Sequence, residues 1–217
     1  MISCIKEVVK VSLILMVFGL FLSSCAKKSD ESGKQANTEN DSVKSEVVKT
    51  EWAIGETCPA GGMVFYDKGE VSDGWRYLSV APSSTEFIAA FCTGWYGVGV
   101  EDGIGTGKKN TEIILESVNS DECDYDFPAA QLCVALNIGG YTDWFLPSIG
   151  ELKLMYKNLY AKGLGNFTEE GYLASSVNNW KYNIILSFVE GEDMDNYTDY
   201  YGNNLDTPER VRAIRQF

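Results

Sequence analysis

The chain has 217 residues, 45% of them hydrophobic, with no histidine and a formal net charge of −13. That excess of acid repels nucleic acid and anionic headgroups, so neither is a fitting partner for the folded part. Without histidine the commonest general base and most catalytic triads are missing, and a zinc site is weakly supported.

Lys6 and Lys10 stand around an apolar run, Val11 to Leu22, which leads into Leu22-Ser23-Ser24-Cys25. A basic start, a short apolar stretch and small residues describe a secretory signal over residues 1–24. The run is short for a bilayer span and is followed by a strongly polar segment. Small residues leading directly to a cysteine resemble the bacterial lipobox, which implies that Cys25 is acylated and becomes the new N-terminus; the alternative is a plain signal with an incidental cysteine. Residues 25–50 then read as a tether: lysines and acids balance at five each, no aromatic residue occurs, and little apolar surface is offered to offset ordering. The expectation is a head, residues 51–217, held by lipid at the bacterial outer membrane or cell surface.

The head opens with the turn cluster Cys58-Pro59-Ala60-Gly61-Gly62 and the apolar strand Met63–Tyr66. Residues 67–74 read as a turn region, and Trp75–Val80 as the second strand of a hairpin. Gly103-Ile104-Gly105-Thr106-Gly107-Lys108 has glycines like a phosphate loop, but Asp102 stands at the first glycine position and Lys109 where Ser or Thr is required. The glycines are better read as turn formers. Asn110 is expected to cap a short helix carrying Ile113, Ile114 and Val118. Residues 121–126 form an acidic loop without EF-hand spacing, so a solvated charge run is favoured over calcium. Pro128 sits near the start of a helix with Ala129, Leu132, Cys133 and Leu136 at helical spacing.

The strongest local signal lies at residues 139–152. After Gly139-Gly140 comes a short aromatic strand, then Pro147, Ser148 and Glu151, the Ser-x-x-Glu capping box. Leu152, Met155, Tyr156, Leu159 and Tyr160 make one apolar stripe, and Gly163 supplies the left-handed residue that ends the helix. Such a joint anchors a core and seldom carries chemistry. Beyond Gly165 the pattern turns to β, with strands expected at 172–177, 183–190 and 210–217, and a weaker one at 197–201. Asn178, Asn179, Trp180, Tyr197, Tyr200, Tyr201 and Asn203 fall in or beside the intervening loops. They read equally as turn residues and as binding loops, where aromatics give contact area and amides give hydrogen bonds.

Cys4 leaves with the signal and Cys25 takes the lipid, so Cys58, Cys92, Cys123 and Cys133 remain, an even number in an exported protein. Of the three pairings, Cys123–Cys133 with Cys58–Cys92 is favoured because the first closes a short acidic loop onto a helix. Free thiols are the alternative in a compartment that does not oxidise.

Several ordered motifs resemble the Lcl C-terminal domain family from Ile54 to the end of the chain. They are Pro59-Ala60-Gly61-Gly62-Met63-Val64-Phe65-Tyr66-Asp67, Asp73-Gly74-Trp75-Arg76-Tyr77-Leu78, Ile104-Gly105-Thr106-Gly107-Lys108, Asp143-Trp144-Phe145-Leu146-Pro147-Ser148 with Glu151-Leu152, and Val211-Arg212-Ala213-Ile214-Arg215 with Phe217. Cys58 replaces a usual glycine and Leu173 a usual tryptophan. More distantly, the Leu146-Pro147-Ser148 joint and the Arg-containing last strand are similar to the formylglycine-generating-enzyme type of C-type-lectin fold. The resemblance implies an α+β, C-type-lectin-like domain, with two or three helices on a twisted, mainly antiparallel sheet. It also implies binding: the family includes a collagen-like bacterial adhesin that takes sulfated glycans.

The leading expectation is therefore a surface lipoprotein whose head binds an extracellular glycan or protein, without a cofactor. Charge favours a protein ligand, or a ligand bridged by a cation, over unaided capture of a sulfated polymer. An enzyme is disfavoured. The formylglycine-generating relatives work with late cysteines and this chain has none beyond Cys133, while Glu190/Glu192 and Asp193/Asp195, the paired acids a hydrolase would need, sit in a turn-like run. An envelope protein that only packs against other subunits is the remaining reading.

Overall fold

The computed structural model describes residues 49–91, 100–118, 129–178, 182–189, 201–204 and 207–217. The signal, Cys25, most of the tether, Cys92, Cys123, the 121–126 acidic loop and the 190–195 acids lie outside the described residues. So do Asn179, Trp180, Tyr197 and Tyr200.

In chain order the first strands are β1 (Met63–Ser72), β2 (Trp75–Val80) and β3 (Phe87–Ala89). Helices α1 (Gly107–Val118), α2 (Ala129–Val134) and α3 (Ile149–Asn158) follow. The chain closes with β4 (Gly171–Asn178), β5 (Tyr182–Ser187), β6 (Tyr201–Asn204), β7 (Glu209–Val211) and β8 (Ile214–Gln216). One antiparallel sheet has the order β1-β2-β8; the other has the order β3-β7-β4-β5-β6 and is antiparallel except where β4 runs parallel to β7. The fold is α+β.

The first hairpin is tighter than the sequence suggests. Strand β1 continues to Ser72, opposite Trp75, and only Asp73 and Gly74 make the turn, at φ 53° and 82°. Asp-Gly is the pair that a two-residue turn with both φ values positive prefers, so a local rule extends the strand.

Strand β5 separates two cores by simple alternation. Ile184, Leu186 and Phe188 join Leu152, Met155 and Tyr156 of α3 on one face. Ile185 and Leu173 join Ile114 of α1 with Ala129, Ala130 and Cys133 of α2 on the other. The sheet is thus covered on both sides, which is why the run Ile184-Ile185-Leu186 of β5 is apolar throughout. Each fully buried Leu or Met contributes about 1.5–3 kcal/mol relative to exposure.

Several expectations are corrected. The strand expected over 210–217 is two strands in different sheets, parted at Arg212 and Ala213. Arg212 is 1% exposed and donates to Glu86 and to the carbonyls of Ala81, Gly165 and Asn166. That buried guanidinium fixes the crossing point between the sheets. Helix α1 begins at Gly107, so Asn110 is a buried interior residue and not a cap. Helix α2 ends at Val134, short of Leu136. Strand β3 has no signal in the sequence: its three residues carry too little pattern and exist by pairing with β7. Cys58 and Cys133 are buried free thiols in one cluster, so the structure shows neither in the bridges expected with Cys92 and Cys123. Among apolar neighbours they act as small hydrophobes, and burial pushes the Cys133 thiol well above its ordinary pKa, which keeps it unreactive.

Candidate functional site

The segment 143–148 is the joint of the molecule. Phe145 exchanges both backbone hydrogen bonds with Ile214 of β8, at 2.8 and 3.0 Å. The Leu146 N–H donates to Thr111 Oγ1 of α1, and the Ser175 N–H of β4 donates to the Pro147 carbonyl. Asp143 receives two hydrogen bonds from Arg215, at 2.8 and 2.9 Å. Burial pushes Asp143 up, but Arg215 outweighs it and holds the carboxyl below its ordinary range.

The capping box forms as expected, and it reaches further than its own helix. Ser148 Oγ accepts from the Glu151 N–H, while Glu151 Oε2 accepts from the Ser148 N–H. Glu151 Oε1 also accepts from the Gly105 N–H at 3.0 Å, and Gly107 packs so closely that a side chain there would run into the carboxylate. The glycine loop thus aims its N–H groups at an acid of the protein itself. This answers the phosphate-loop resemblance with geometry: the anion that loop serves is internal. Burial pushes Glu151 up to about 7, against the pull of its N–H donors.

Strand β4 carries a bulge that redirects two serines. Leu173 pairs with Ile185 and Val177 with Asn183, so four steps on β4 face two on β5. The extra residues let Ser175 Oγ accept from Asn110 Nδ2, and let Ser176 Oγ accept from the Ile149 N–H while donating to the Glu101 carbonyl. A bulge is a common means of re-aiming side chains. Here every bond in the network is internal, so it is a fastening and not a site.

Beyond the bulge, the register gathers the amide-bearing positions at one end of the sheet. Asn178 is opposite Tyr182, which is opposite Asn204; Val177 is opposite Asn183, which is opposite Asn203; Tyr201 is opposite Ile185. Of the residues expected to bind ligand, Asn178 and Asn203 therefore stand in adjoining rows at this end of the sheet, with Tyr201 two rows further along β6. Asn179, Trp180, Tyr197 and Tyr200 lie outside the described residues.

Asn183 was read only as the start of a strand, yet it is the most unusual side chain there. It is 0% exposed, and among the described residues both amide atoms, Nδ2 and Oδ1, lack a hydrogen-bond partner. An unpaired buried polar group costs about 1–3 kcal/mol, so a protein seldom keeps one without a use. Alternation places Asn183 on the same face of β5 as Ile185. The signal was available in the sequence: one amide at the head of the otherwise apolar run Ile184-Ile185-Leu186.

Among the described residues no three metal-ligating side chains cluster, and no helix is long and apolar enough to cross a membrane. Neither models of known protein families nor curated proteins match the chain.

Proposed function

We propose that this is a surface-displayed lipoprotein whose C-type-lectin-like head, of the Lcl C-terminal type, binds an extracellular glycan or protein through the end of the sheet where β4, β5 and β6 meet. The observation that carries the reading is the register that sets Asn178 and Asn203 in adjoining rows at one end of the sheet, with the amide of Asn183, unpaired among the described residues, opposite Asn203. A primary amide offers one acceptor and two donors in a plane, a match for a peptide group or for neighbouring hydroxyls of a sugar. Trp180, Tyr197 and Tyr200, near in sequence, supply flat contact area. A lipid on Cys25 and a polar tether would display the head at the membrane surface.

The test is an array of glycans and matrix proteins probed with the lipid-free chain, with and without calcium. The expected result is a specific hit that the triple replacement of Trp180, Tyr200 and Tyr201 by alanine removes, with thermal unfolding little changed. Binding that survives both the triple variant and Asn183→Leu sinks the site. Cys25→Ala tests the anchor separately, by moving the protein from the membrane to the soluble fraction.

A further inference from the structure

A second place in the molecule has the form of a ligand site and shares no residue with the first. A cavity of about 320 Å³ opens between the turn before β1, the end of β2 and the loop after α3. Its floor is buried Val80, Ala81 and Arg212, and exposed Thr57, Ser83 and Asn166 bring polar side chains to its mouth. Met63, Pro82 and Leu164 supply apolar surface beside them. This volume is at the lower end of the range for small-molecule sites, where apolar walls and a few converging polar groups are usual.

Charge decides what the cavity can hold. Arg212 is the cation at its floor, and its donors are all committed: Nε and Nη2 to Glu86 at 2.8 and 2.7 Å, Nη1 to the Ala81 and Gly165 carbonyls, Nη2 also to the Asn166 carbonyl. The guanidinium is neutralised and offers no free N–H, so neither an anion nor a cation finds a counter-charge. What the cavity does offer is hydroxyl, amide and backbone groups. The N–H groups of Gly165 and Asn166 make no hydrogen bond among the described residues. Asn166 adopts φ 49°, a left-handed conformation that asparagine takes more readily than most residues with a side chain.

We propose that this cavity binds an uncharged, hydroxyl-bearing ring of the size of a single sugar unit, its C–H face against Met63 and Leu164 and its hydroxyl edge towards Ser83 and Asn166. The site is independent of the β4–β5–β6 end.

Titration calorimetry and ligand-observed NMR on the full chain test it, with glucose, galactose and N-acetylglucosamine as uncharged probes and glucuronic acid and glucosamine as charged ones. The expected result is saturable binding of at least one uncharged sugar, weakened tenfold or more by Asn166→Gly and by Ser83→Ala. Asn166→Gly keeps the left-handed backbone open to the chain, so its unfolding temperature holds or rises. Asn183→Leu leaves this binding unchanged, which separates the two sites. Failure of all three uncharged sugars to bind overturns the proposal, as does equal binding by the Asn166→Gly, Ser83→Ala double variant. Preference for glucuronic acid also overturns it, because that requires a free charge on Arg212.

Discussion

Asn183 and Glu151 are both buried polar groups, and the difference between them separates binding from scaffolding. Glu151 accepts hydrogen bonds from its own helix start and from the glycine loop, whereas Asn183 has none among the described residues. Replacing Asn183 by leucine, similar in size, removes an unpaired amide from an apolar setting. Urea unfolding of that variant is expected to show a gain of about 1–2 kcal/mol, together with loss of ligand binding. A loss of stability would mean the amide has a structural role. Glu151→Gln does the opposite: one end of its amide must face an N–H donor, so a loss of about 1–3 kcal/mol is expected. Glu151 also sets a pH dependence. Its folded value, about 7, is above the ordinary 4.5, so protonation favours the fold. That contribution is complete below about 4.5 and is lost as pH rises through about 7; comparing unfolding at mildly acid and mildly alkaline pH in wild type and Glu151→Gln isolates it.

At the scale of elements, the three-stranded sheet is fastened by two Arg–carboxylate forks. Arg76 binds Asp67 across β1 and β2 at 2.8 and 2.9 Å, and Arg215 of β8 binds Asp143. Both acids are held below their ordinary range, Asp67 by the Arg76 hydrogen bonds first of all. Their contribution is therefore present above about 3.8 and lost as pH falls, the reverse of Glu151. The loop before α1 is fixed differently, by close packing. Gly105 has φ 87°, and a β-carbon there would stand 2.8 Å from Trp75 Cζ2. Gly105→Ala combines backbone strain with a clash, and a loss of about 1–3 kcal/mol is expected from thermal unfolding.

For the whole molecule, Arg212 decides how the two sheets meet. Glu86 Oε2 takes Arg212 and the Tyr172 hydroxyl, while Oε1 takes Arg210, so one carboxylate gathers groups from β4, β7 and the residue between the last two strands. Arg212→Met keeps the apolar stem but leaves Glu86 and three carbonyls short of donors. A loss of about 3–5 kcal/mol is expected, with unfolding still a single transition because both sheets depend on the same crossing. The Arg212 cavity would lose its floor in the same variant, so its ligand is better tested with Ser83 and Asn166.

Local chemistry is why so much could be read from the sequence. The capping box at Ser148 and Glu151 and the apolar stripe of α3 each depend on residues within about four positions. What the sequence could not contain is the partner of each long-range contact. That the 210–217 segment belongs to two sheets follows from Glu86 meeting Arg212, 126 positions away. That Asn110 is an interior clamp follows from Ser175, and that Asn183 is buried without a partner among the described residues follows from what the sheet packs around it. Propensity and spacing fix elements because their energies are local; burial and pairing, which make a polar residue either a fastening or a site, arise only when distant segments come together.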